Sequence, residues 1–470
     1  MQRLNQRYKQ LLDETNLDFA RYIYQEINWD NRLILLKGPK GVGKTTMLLQ
    51  HIKQTFEDTS KAFYASVDTS WFTTHTLVDL AEYLVSHGVT HLYLDEVHKY
   101  SGWDRQIKEI YDAFPKLHIV ITGSSMLQLS STEADLSRRC RVYTMQGMSF
   151  REYLEFEHVA QLPAVPFNEI LTDHQTIAAH LTNQLPVQKY FEQYLEHGYY
   201  PFYKEEGDGF AARLEEEVDW IINVEIPAVE KVSYELVYKT KVLLGILAEL
   251  NPFTLNVSEL AAKLGASRDS IYKMLDLLQK AGLIRRLYQK STGMKRLQKP
   301  EKILFDNTNL MYALSPNSDM GTLRETFMSN MLCSHKLAMP AKGDLLIDST
   351  YIFEVGGKSK GYGQIADIPK SYVIADGIDV GFGNKIPLWL FGFLYSVQFF
   401  LLPLRPKVGI KRWLITDHSF LHGFSFIRNI ILLRADKQIR THNYAILPGG
   451  VFVFFVWTKI SKNTLKMQKT

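Results

Sequence analysis

A glycine-rich run at residues 38–46 constrains this chain more than any other feature. It consists of Gly38, Pro39, Lys40, Gly41, Val42, Gly43, Lys44, Thr45 and Thr46. The run fits the pattern G-x-x-x-x-G-K-T, follows an apolar strand-like segment and continues into a helix-like one. A strand, a glycine loop and a helix in this order surround phosphate oxygens with backbone N–H groups and a helix N-terminus. We expect these nine residues to bind a nucleoside triphosphate, with Lys44 on the β- and γ-phosphates and the Thr45 hydroxyl on Mg²⁺.

A second motif adds hydrolysis to binding. Residues 91–94 form an apolar run that ends in Asp95 and Glu96, the Walker B pattern. At the end of a strand, Asp95 is placed to hold the Mg²⁺ shell, and Glu96 is placed to orient and polarise the attacking water. The two motifs predict a P-loop ATPase, a nucleoside-triphosphate hydrolase that uses ATP and Mg²⁺, with Lys44 and Glu96 in catalytic roles.

The alternation of strands and helices predicts the fold class. Between residues 31 and 150, helical stretches separate short apolar strands at residues 33–36, 62–67, 92–94 and 119–121. Such alternation predicts an α/β domain whose parallel sheet is covered on both faces and binds ligands at the carboxyl ends of its strands. Both nucleotide motifs lie at those ends. Residues 1–30 are predicted to be a helical entry segment, and residues 31–150 the ATPase core.

Polar residues follow the last of these strands, at residues 122–125. In P-loop ATPases a polar side chain at this point commonly senses the γ-phosphate, whereas a helix N-cap is the simple structural alternative. We favour a sensor and take Ser124 as the catalytic candidate, although the sequence does not separate Ser124 from Thr122.

Four motifs together resemble those of a known family. They are residues 38–45, 95–100, 122–125 and 149–152. The chain resembles prokaryotic AAA-type ATPases that carry an appended C-terminal domain of uncharacterised function, over roughly residues 1–395. The resemblance implies an AAA-type parallel sheet, ATPase activity, and a helical lid and connector at residues 151–245.

The resemblance also implies an arginine finger. The family segment reads Leu-small-Gly-Arg, and here Arg139 takes the position of the arginine while Arg138 replaces the glycine. The assignment stays open between these neighbours, and a solvated basic face is the alternative. A finger that acts in trans implies a homo-oligomer, because a neighbouring subunit then completes the site.

Residues 246–299 have the pattern of a winged helix. A short helix at residues 257–264, a turn at Gly265 and a recognition-type helix at residues 267–281 precede a first wing strand at residues 282–287. The cations that we expect to face DNA phosphates are Arg268, Lys273, Lys280, Lys290, Lys295, Arg296 and Lys299. DNA is therefore a candidate partner, and a module that packs against protein is the alternative.

Residues 300–395 resemble a reduced PD-(D/E)xK nuclease domain, an α/β fold. Glu325 on its first helix, and Asp344 and Glu354 on a hairpin, are candidate acids, since two carboxylates can share Mg²⁺ for phosphodiester cleavage. The candidate lysine, Lys358, lies about 13 Å from Glu354 along a straight strand, instead of the about 7 Å of an E-x-K motif. A bulge at the intervening glycine pair would restore the approach. We expect a nuclease fold without nuclease activity.

The basic charge of the chain belongs to its C-terminal tail. The chain has 54 basic and 50 acidic residues, and residues 396–470 contain twelve of the basic residues and two of the acidic ones. Residues 1–395 therefore contain 42 basic and 48 acidic residues. The overall charge therefore says nothing about the affinity of the main body for nucleic acid. The two cysteines, Cys140 and Cys333, fit neither a disulfide framework nor a zinc motif, and we expect a cytoplasmic protein.

Residues 386–404 form an uncharged run that is long enough to consider a membrane span. The run contains prolines, a glycine and a glutamine, and its first half matches a core strand of the family. We therefore do not expect a membrane as a partner. We expect the tail at residues 396–470 to be an added or out-of-frame extension that folds poorly.

These features predict ATP hydrolysis that drives a conformational cycle, with DNA as a candidate target. One alternative is a nucleotide-gated switch or scaffold with slow turnover, whose C-terminal modules hold a protein partner. The other is a DNA-processing nuclease powered by the ATPase. Turnover that DNA stimulates would support the ATP-driven cycle. Tight nucleotide binding with negligible turnover would support the switch, and metal-dependent nicking of DNA would support the nuclease.

Overall fold

A computed structural model of the protein describes residues 1–124, 134–249, 256–289, 302–315 and 319–394, and the backbone of residues 441–447 and 451–456. A five-stranded parallel sheet organises the N-terminal part of the chain. Its strands are β1 Leu33–Lys37, β2 Ala62–Ser66, β3 His91–Asp95, β4 His118–Gly123 and β5 Arg141–Thr144, in the order β2-β3-β4-β1-β5. Strands β1 to β4 are almost wholly buried, as a parallel sheet with two covered faces requires. The predicted AAA-type α/β sheet is confirmed.

The sequence did not predict β5. This strand is short, lies at the edge of the sheet beside β1, and exposes Arg141 and Val142. An edge strand needs no continuous apolar run, so it lacks the pattern that revealed the other four strands.

Helices flank the sheet. They are α1 Gln2–Glu14, α2 Lys44–Thr55, α3 Leu77–Ser86, α4 Trp103–Ala113 and α5 Ala134–Arg139. Helix α1 packs against α2 and β2, and α3 packs against α4. Residues 38–43 lie between β1 and α2, so the glycine-rich run joins a buried strand to a helix N-terminus, as predicted.

The strand register brings the predicted motifs to one edge. Lys37, which ends β1, pairs with Gly123, which ends β4, and Leu36 pairs with Thr122. Asp95 ends β3, the strand on the other side of β4. The glycine loop, the Walker B acids and the polar residues after β4 therefore begin at neighbouring carboxyl ends.

A helical region follows the sheet. It contains α6 Phe150–Phe156, α7 Phe167–Thr182, α8 Val187–His197, α9 Tyr203–Glu206, α10 Phe210–Trp220, a π-helical turn Ile221–Glu225, α11 Ile226–Val229 and α12 Tyr234–Glu249. Helix α10, the π-turn and α11 run on without a break, and we call residues 210–229 the connector helix.

The next elements form a helix-turn-helix module, which we define as α13, α14, β6 and β7. Helices α13 Val257–Leu264 and α14 Arg268–Lys280 flank Gly265, and β6 Ile284–Leu287 pairs antiparallel with β7 Lys302–Phe305. The helices and the first wing strand thus lie where the sequence predicts them. Whether the module binds DNA as a winged helix stays a prediction.

A second five-stranded sheet, of mixed direction, closes this part of the chain. Helices α15 Thr308–Leu314 and α16 Met320–Met331 precede strands β8 Leu337–Ala338, β9 Leu345–Ile347, β10 Tyr351–Gly356, β11 Ser371–Ala375 and β12 Lys385–Pro387, in the order β12-β11-β10-β9-β8. Strands β9 and β10 form the predicted hairpin, and Asp348 and Ser349 turn it with φ values of 50° and 59°.

The first half of the uncharged run at residues 386–404 belongs to this core. A 3₁₀ helix, Leu388–Phe393, packs against α6, α7 and α16, with Trp389, Phe391 and Phe393 buried. In the parts of the chain that the structure describes, no helix is long and apolar enough to cross a membrane. Residues 395–404 lie outside the described residues.

The chain divides into two compact units, Met1–Phe399 and Phe400–Thr470. In the second unit the described backbone is an antiparallel hairpin of β13 Thr441–Leu447 and β14 Val451–Val456. The expectation that the tail folds poorly otherwise falls on residues that the structure does not describe.

A buried ion pair ties the entry segment to the sheet. Arg21 Nε lies 2.9 Å from Glu152 Oε1, and the two side chains are only 4% and 1% exposed. The same guanidinium donates to the backbone carbonyls of Val42 and Gln146. Burial opposes ionisation of Glu152, but the Arg21 and Arg151 guanidinium groups hold the pKa of this carboxyl below its ordinary value.

We expect Glu152→Ala to lower the free energy of unfolding by about 3–5 kcal/mol, because the buried Arg21 loses the carboxylate that balances its charge. Urea titration of both proteins measures this loss. Glu155→Ala is the matched control, because Glu155 lies on the same helix in a looser pair with Arg151 at 3.8 Å. The pKa of Glu152 is lowered, so its contribution is present at neutral pH and is lost as the pH falls below 4.5. Equal stabilities of the two variants would contradict the assignment.

Candidate functional site

The phosphate-binding loop has the backbone shape that its glycines permit. Gly41 and Gly43 have φ values of 79° and 95°, in the left-handed region where other residues are strained. A Cβ at Gly38 would overlap the backbone carbonyl of Met145, which follows β5. The loop therefore wraps closely against the sheet edge and delivers Lys44 to the first turn of α2.

Lys44 is buried within this loop. Its ammonium donates to the carbonyl oxygens of Gly38 at 2.9 Å and Pro39 at 2.8 Å, and the residue is 5% exposed. Burial lowers the pKa of Lys44, while the carboxylates of Glu96, Asp95 and Glu225 oppose that shift. A buried cation that faces several acids is suited to hold phosphate oxygens.

The two predicted Mg²⁺ ligands touch each other. Thr45 Oγ1 donates to Asp95 Oδ2 at 2.6 Å, and Tyr64 donates its hydroxyl proton to the same oxygen at 2.7 Å. Burial and then Asp95 raise the pKa of Tyr64, so the phenol stays protonated and acts as a donor. A hydroxyl and a carboxylate are oxygen ligands of the kind that Mg²⁺ prefers. The residues present therefore fit a Mg²⁺ ion between the loop and β3.

Glu96 has an unusual backbone conformation. Its φ of 58° is left-handed, although it is not glycine. Its backbone N–H donates to Thr122 Oγ1 at 3.1 Å, and its carboxylate lies 3.4 Å from Lys99 Nζ and 3.6 Å from His98 Nε2. Strained backbone of this kind is common where a side chain must be held for chemistry.

The structure separates the two sensor candidates. Thr122 donates its hydroxyl proton to Asp95 and accepts from the Glu96 backbone, so it positions the Walker B acids. Ser124 is buried beyond the end of β4, and its backbone N–H donates to His98 Nδ1 at 3.3 Å. Ser124 is thus the better placed of the two for sensing, which stays a prediction.

A third acid lies at this site, Glu225, which the sequence did not predict. It ends the π-turn of the connector helix and is 5% exposed. Burial and then Glu96 raise its pKa, whereas Lys44, Lys40 and the Ser124 side chain lower it. The available signal was a single acid in the otherwise uncharged and mostly apolar run of residues 221–229, but the sequence did not indicate which element that run would face.

The connector helix also contacts the loop directly. Lys40 Nζ lies 2.6 Å from Glu217 Oε2 and 5.3 Å from the centre of the Trp220 ring. A Cβ at Gly41 would come within 2.6 Å of the Phe202 ring. The loop is therefore held between the sheet and the helical region.

The arginine-finger candidates lie on α5. Arg139 pairs with Asp112 of α4, with Nε 3.2 Å from Oδ1, and Arg138 is exposed. The choice between these neighbours stays open, and so does a role in trans.

The predicted DNA-facing cations differ in their surroundings. Lys273 is exposed, and Arg268 donates to Ser258 Oγ at 2.8 Å. Lys280 is paired with Glu230 at 2.8 Å and with Asp276 at 3.1 Å. Because Glu230 directly follows the connector helix, Lys280 attaches α14 to that helix. The remaining candidates, Lys290, Lys295, Arg296 and Lys299, lie outside the described residues.

Two of the nuclease-like candidates, Asp344 and Glu354, lie at the hairpin of the second sheet, and Glu325 lies on α16. Asp344 Oδ2 accepts from the Val355 backbone at 2.7 Å, next to Glu354. Glu354 is 1% exposed and lies 2.5 Å from the ammonium of Lys360. Glu325 pairs with Lys302, and Asp344 adds to the rise that burial causes in the pKa of Glu325.

The structure pairs Glu354 with a different lysine from the predicted one. Lys358 contributes its backbone carbonyl, which accepts from Lys385 Nζ at 2.8 Å. The side chain of Lys360 crosses Gly356 so closely that a Cβ there would lie 2.7 Å from it. The described residues include no group of three or more His, Cys, Asp or Glu suited to a metal ion.

We expect no cleavage of linear or branched DNA by this domain with Mg²⁺ or Mn²⁺, because lysines and a backbone N–H already engage the three acids. Gel analysis of DNA after incubation with the full chain measures this. Cleavage that Asp344→Ala and Lys360→Ala abolish, and that Lys358→Ala leaves intact, would overturn the expectation and assign the lysine.

Family comparison agrees with the geometry of the N-terminal sheet. Residues 30–154 match the model of a family described as an AAA domain, and residues 188–321 match one described as a domain of unknown function, DUF8612. The first match covers the sheet, the glycine loop and the Walker B acids. Residues 30–154 therefore match an AAA domain in sequence, and they have the parallel sheet and the phosphate-binding loop of a P-loop fold.

Two relatives come from Methanocaldococcus jannaschii. The chain is 26% identical to the uncharacterized protein MJ1637 over 393 residues, which is 76% of this chain and 82% of that protein. It is 24% identical to the uncharacterized protein MJ1544 over 310 residues, 63% of this chain and 66% of that protein. Because both relatives are uncharacterized, they assign no activity.

Solved structures give only distant similarity. AMPPCP-bound DnaA from Aquifex aeolicus matches with a TM-score of 0.24 and 13% identity, over 55% of this chain and 84% of that one. C. elegans PCH-2 matches with a TM-score of 0.25 and 20% identity, over 39% of this chain and 54% of that one. The AAA assignment rests on the family match and on the sheet, not on these scores.

Proposed function

We propose that this protein hydrolyses ATP with Mg²⁺ and uses the reaction to drive a conformational cycle. The observation that carries the proposal is the direct contact of Thr45 with Asp95 at 2.6 Å, beside a buried Lys44. This contact joins the phosphate-binding loop to the Walker B strand at the point where both predicted Mg²⁺ ligands are needed.

Each residue of the site has a separate role in the proposed reaction. Lys44 turns its ammonium from the loop carbonyls to the β- and γ-phosphates, and the loop N–H groups hold the remaining phosphate oxygens. Glu96 orients and polarises the attacking water, while Thr122 and Tyr64 hold Asp95 in place. Thr45 and Asp95 would hold a Mg²⁺ ion, which would supply positive charge against the negative charge of the phosphates.

The first test separates binding from hydrolysis. We expect Lys44→Ala to lose nucleotide affinity by about tenfold or more, because charge-assisted hydrogen bonds to phosphate disappear. We expect Glu96→Gln to bind ATP normally but to turn over about 10²-fold or more slowly. Calorimetric binding and phosphate release measure the two effects. Glu82→Gln, an exposed acid on α3, is the control, and wild-type turnover by Glu96→Gln would contradict the role of Glu96.

The second test addresses assembly. If an arginine acts in trans, specific activity rises with protein concentration, and the finger variant loses about 10³-fold in turnover. Arg138→Ala and Arg139→Ala are tested separately, since each controls for the other. Mixing the inactive one with Glu96→Gln should restore part of the activity, because each protein supplies what the other lacks. A monomer whose specific activity is independent of concentration would rule out a finger in trans.

One observation supports the alternative of a nucleotide-gated switch. The connector helix contacts the loop through Glu217, and Glu230 directly after it pairs with Lys280 of α14. Lys280 is thereby used for packing within the chain, which supports a protein-packing role for the module more than a DNA-binding one. Adding DNA to the phosphate-release assay distinguishes the two: stimulation favours a cycle on DNA, and tight binding with negligible turnover favours the switch.

A further inference from the structure

The connector helix inserts a carboxylate into the nucleotide site. Glu225 is buried at the end of the π-turn, and the groups that act on its carboxyl are Glu96, Lys44, Lys40 and the Ser124 side chain. Helix α11, which begins one residue later, packs against the turn Val97–Lys99 that follows Glu96. Of these groups, Lys44 is the one that the proposed function places on the terminal phosphates of ATP, and Ser124 is the candidate sensor of the γ-phosphate.

The sequence explains why the helix changes form here. Pro227 has no N–H to donate. In a regular α-helix its ring would also clash with the carbonyl of Asn223, four residues earlier. The backbone instead makes a wider turn, in which the N–H of Ile226 donates to the carbonyl of Ile221. Ile221, Ile222 and Ile226 are buried on this segment and anchor it. π-Helical turns are rare in proteins, and many of those that occur lie at functional sites.

We propose that Glu225 and the γ-phosphate of ATP compete for one position beside Lys44 and Ser124, so that ATP displaces Glu225 whereas ADP leaves it in place. The inference rests on the proposed function, because it assigns a nucleotide to this site. It goes further by making Glu225 the residue that distinguishes the two nucleotides.

Electrostatics gives the physical reason. A carboxylate near the Lys44 ammonium is stabilised by it, and a phosphate brought to the same ammonium is repelled by that carboxylate at short range in a buried setting. Glu96 and Asp95 add negative charge around the same lysine, so three anions beside Lys44 are already balanced against few cations. Another anion enters only if one leaves, and Glu225 is the one carried by a separate element.

The connector helix passes such a displacement on. Its α10 part is held to the phosphate-binding loop by Lys40 and Glu217, and to α12 by Asp219 and Lys241 at 2.7 Å. The π-turn itself packs against α12, which packs against α14 of the helix-turn-helix module. Movement of Glu225 therefore shifts an element that contacts the nucleotide loop directly and the module through α12.

The first experiment compares the affinities of the full chain for ADP and for a non-hydrolysable ATP analogue with Mg²⁺. We expect Glu225→Gln to bind the analogue about tenfold more tightly than the wild type, with a change of less than about threefold for ADP. Glu215→Gln, an exposed acid on the same helix, is the matched control and should leave both affinities unchanged. Thermal unfolding of the variants shows that they are folded.

A second experiment needs no change at Glu225. Trp220 lies five residues before Glu225 and is 44% exposed, and the centre of its ring is 5.3 Å from Lys40 Nζ. The emission of Trp220, obtained as the difference between the wild type and Trp220→Phe, should change with the ATP analogue and stay constant with ADP.

The outcomes are distinguishable. Equal changes in both affinities, no change, or an identical Trp220 response to the two nucleotides would overturn the competition while leaving the ATPase proposal intact. Lost turnover in Glu225→Gln with unchanged selectivity would make Glu225 a participant in the chemistry and would likewise overturn it. A wild-type chain that binds neither nucleotide would overturn the proposed function itself. So would a Lys44→Ala variant that binds both nucleotides as tightly as the wild type does.

Discussion

The nucleotide site depends on one buried guanidinium that belongs to none of its motifs. Arg21 joins Glu152 at the start of α6 to the backbone of Val42 within the phosphate-binding loop and to Gln146 after β5. Such a charge is costly to bury unless its donors are engaged, and here the phosphate-binding loop, the residue Gln146 after β5 and helix α6 supply the acceptors. The shape of the loop is therefore fixed by the folded domain as a whole as well as by its own glycines.

Local patterns predicted most of the N-terminal sheet and its loop, because a buried parallel strand and a glycine loop can each be recognised from a few consecutive residues. The contact of Thr45 with Asp95 then follows from the strand register. What the sequence could not predict depends on distant packing. Strand β5 has no continuous apolar run and is recognised as a strand only by its pairing with β1. Glu225 is brought to the site only by the way the connector helix packs. Lys360 reaches Glu354 because the chain folds back across Gly356, which residue spacing does not reveal.

Charge balance links the site to the helical region. Asp95, Glu96 and Glu225 face Lys44 and Lys40, so acids outnumber lysines around the loop. A triphosphate brings more negative charge, which fits a site that takes a divalent cation together with its nucleotide. Lys40 is itself shared with Glu217, so the charge available to phosphate depends on the position of the connector helix. This shared lysine supports the proposed coupling between nucleotide affinity and the position of the connector helix.

The buried aromatic segment Leu388–Phe393 sets a limit on how the protein can be divided. Although it comes late in the sequence, it packs against α6 and α7 of the helical region as well as α16, and the Phe393 carbonyl accepts from the backbone of Val165. The Phe150 and Phe393 rings meet edge to face, with their centres 5.9 Å apart. The second sheet is thus fastened to the first helix after the ATPase core. A shortened protein that stops before residue 388 loses this segment and exposes the apolar surface that the segment covers on α6, α7 and α16, which invites aggregation. The smallest natural unit for crystallisation or enzymology therefore extends well beyond the domain that binds phosphate.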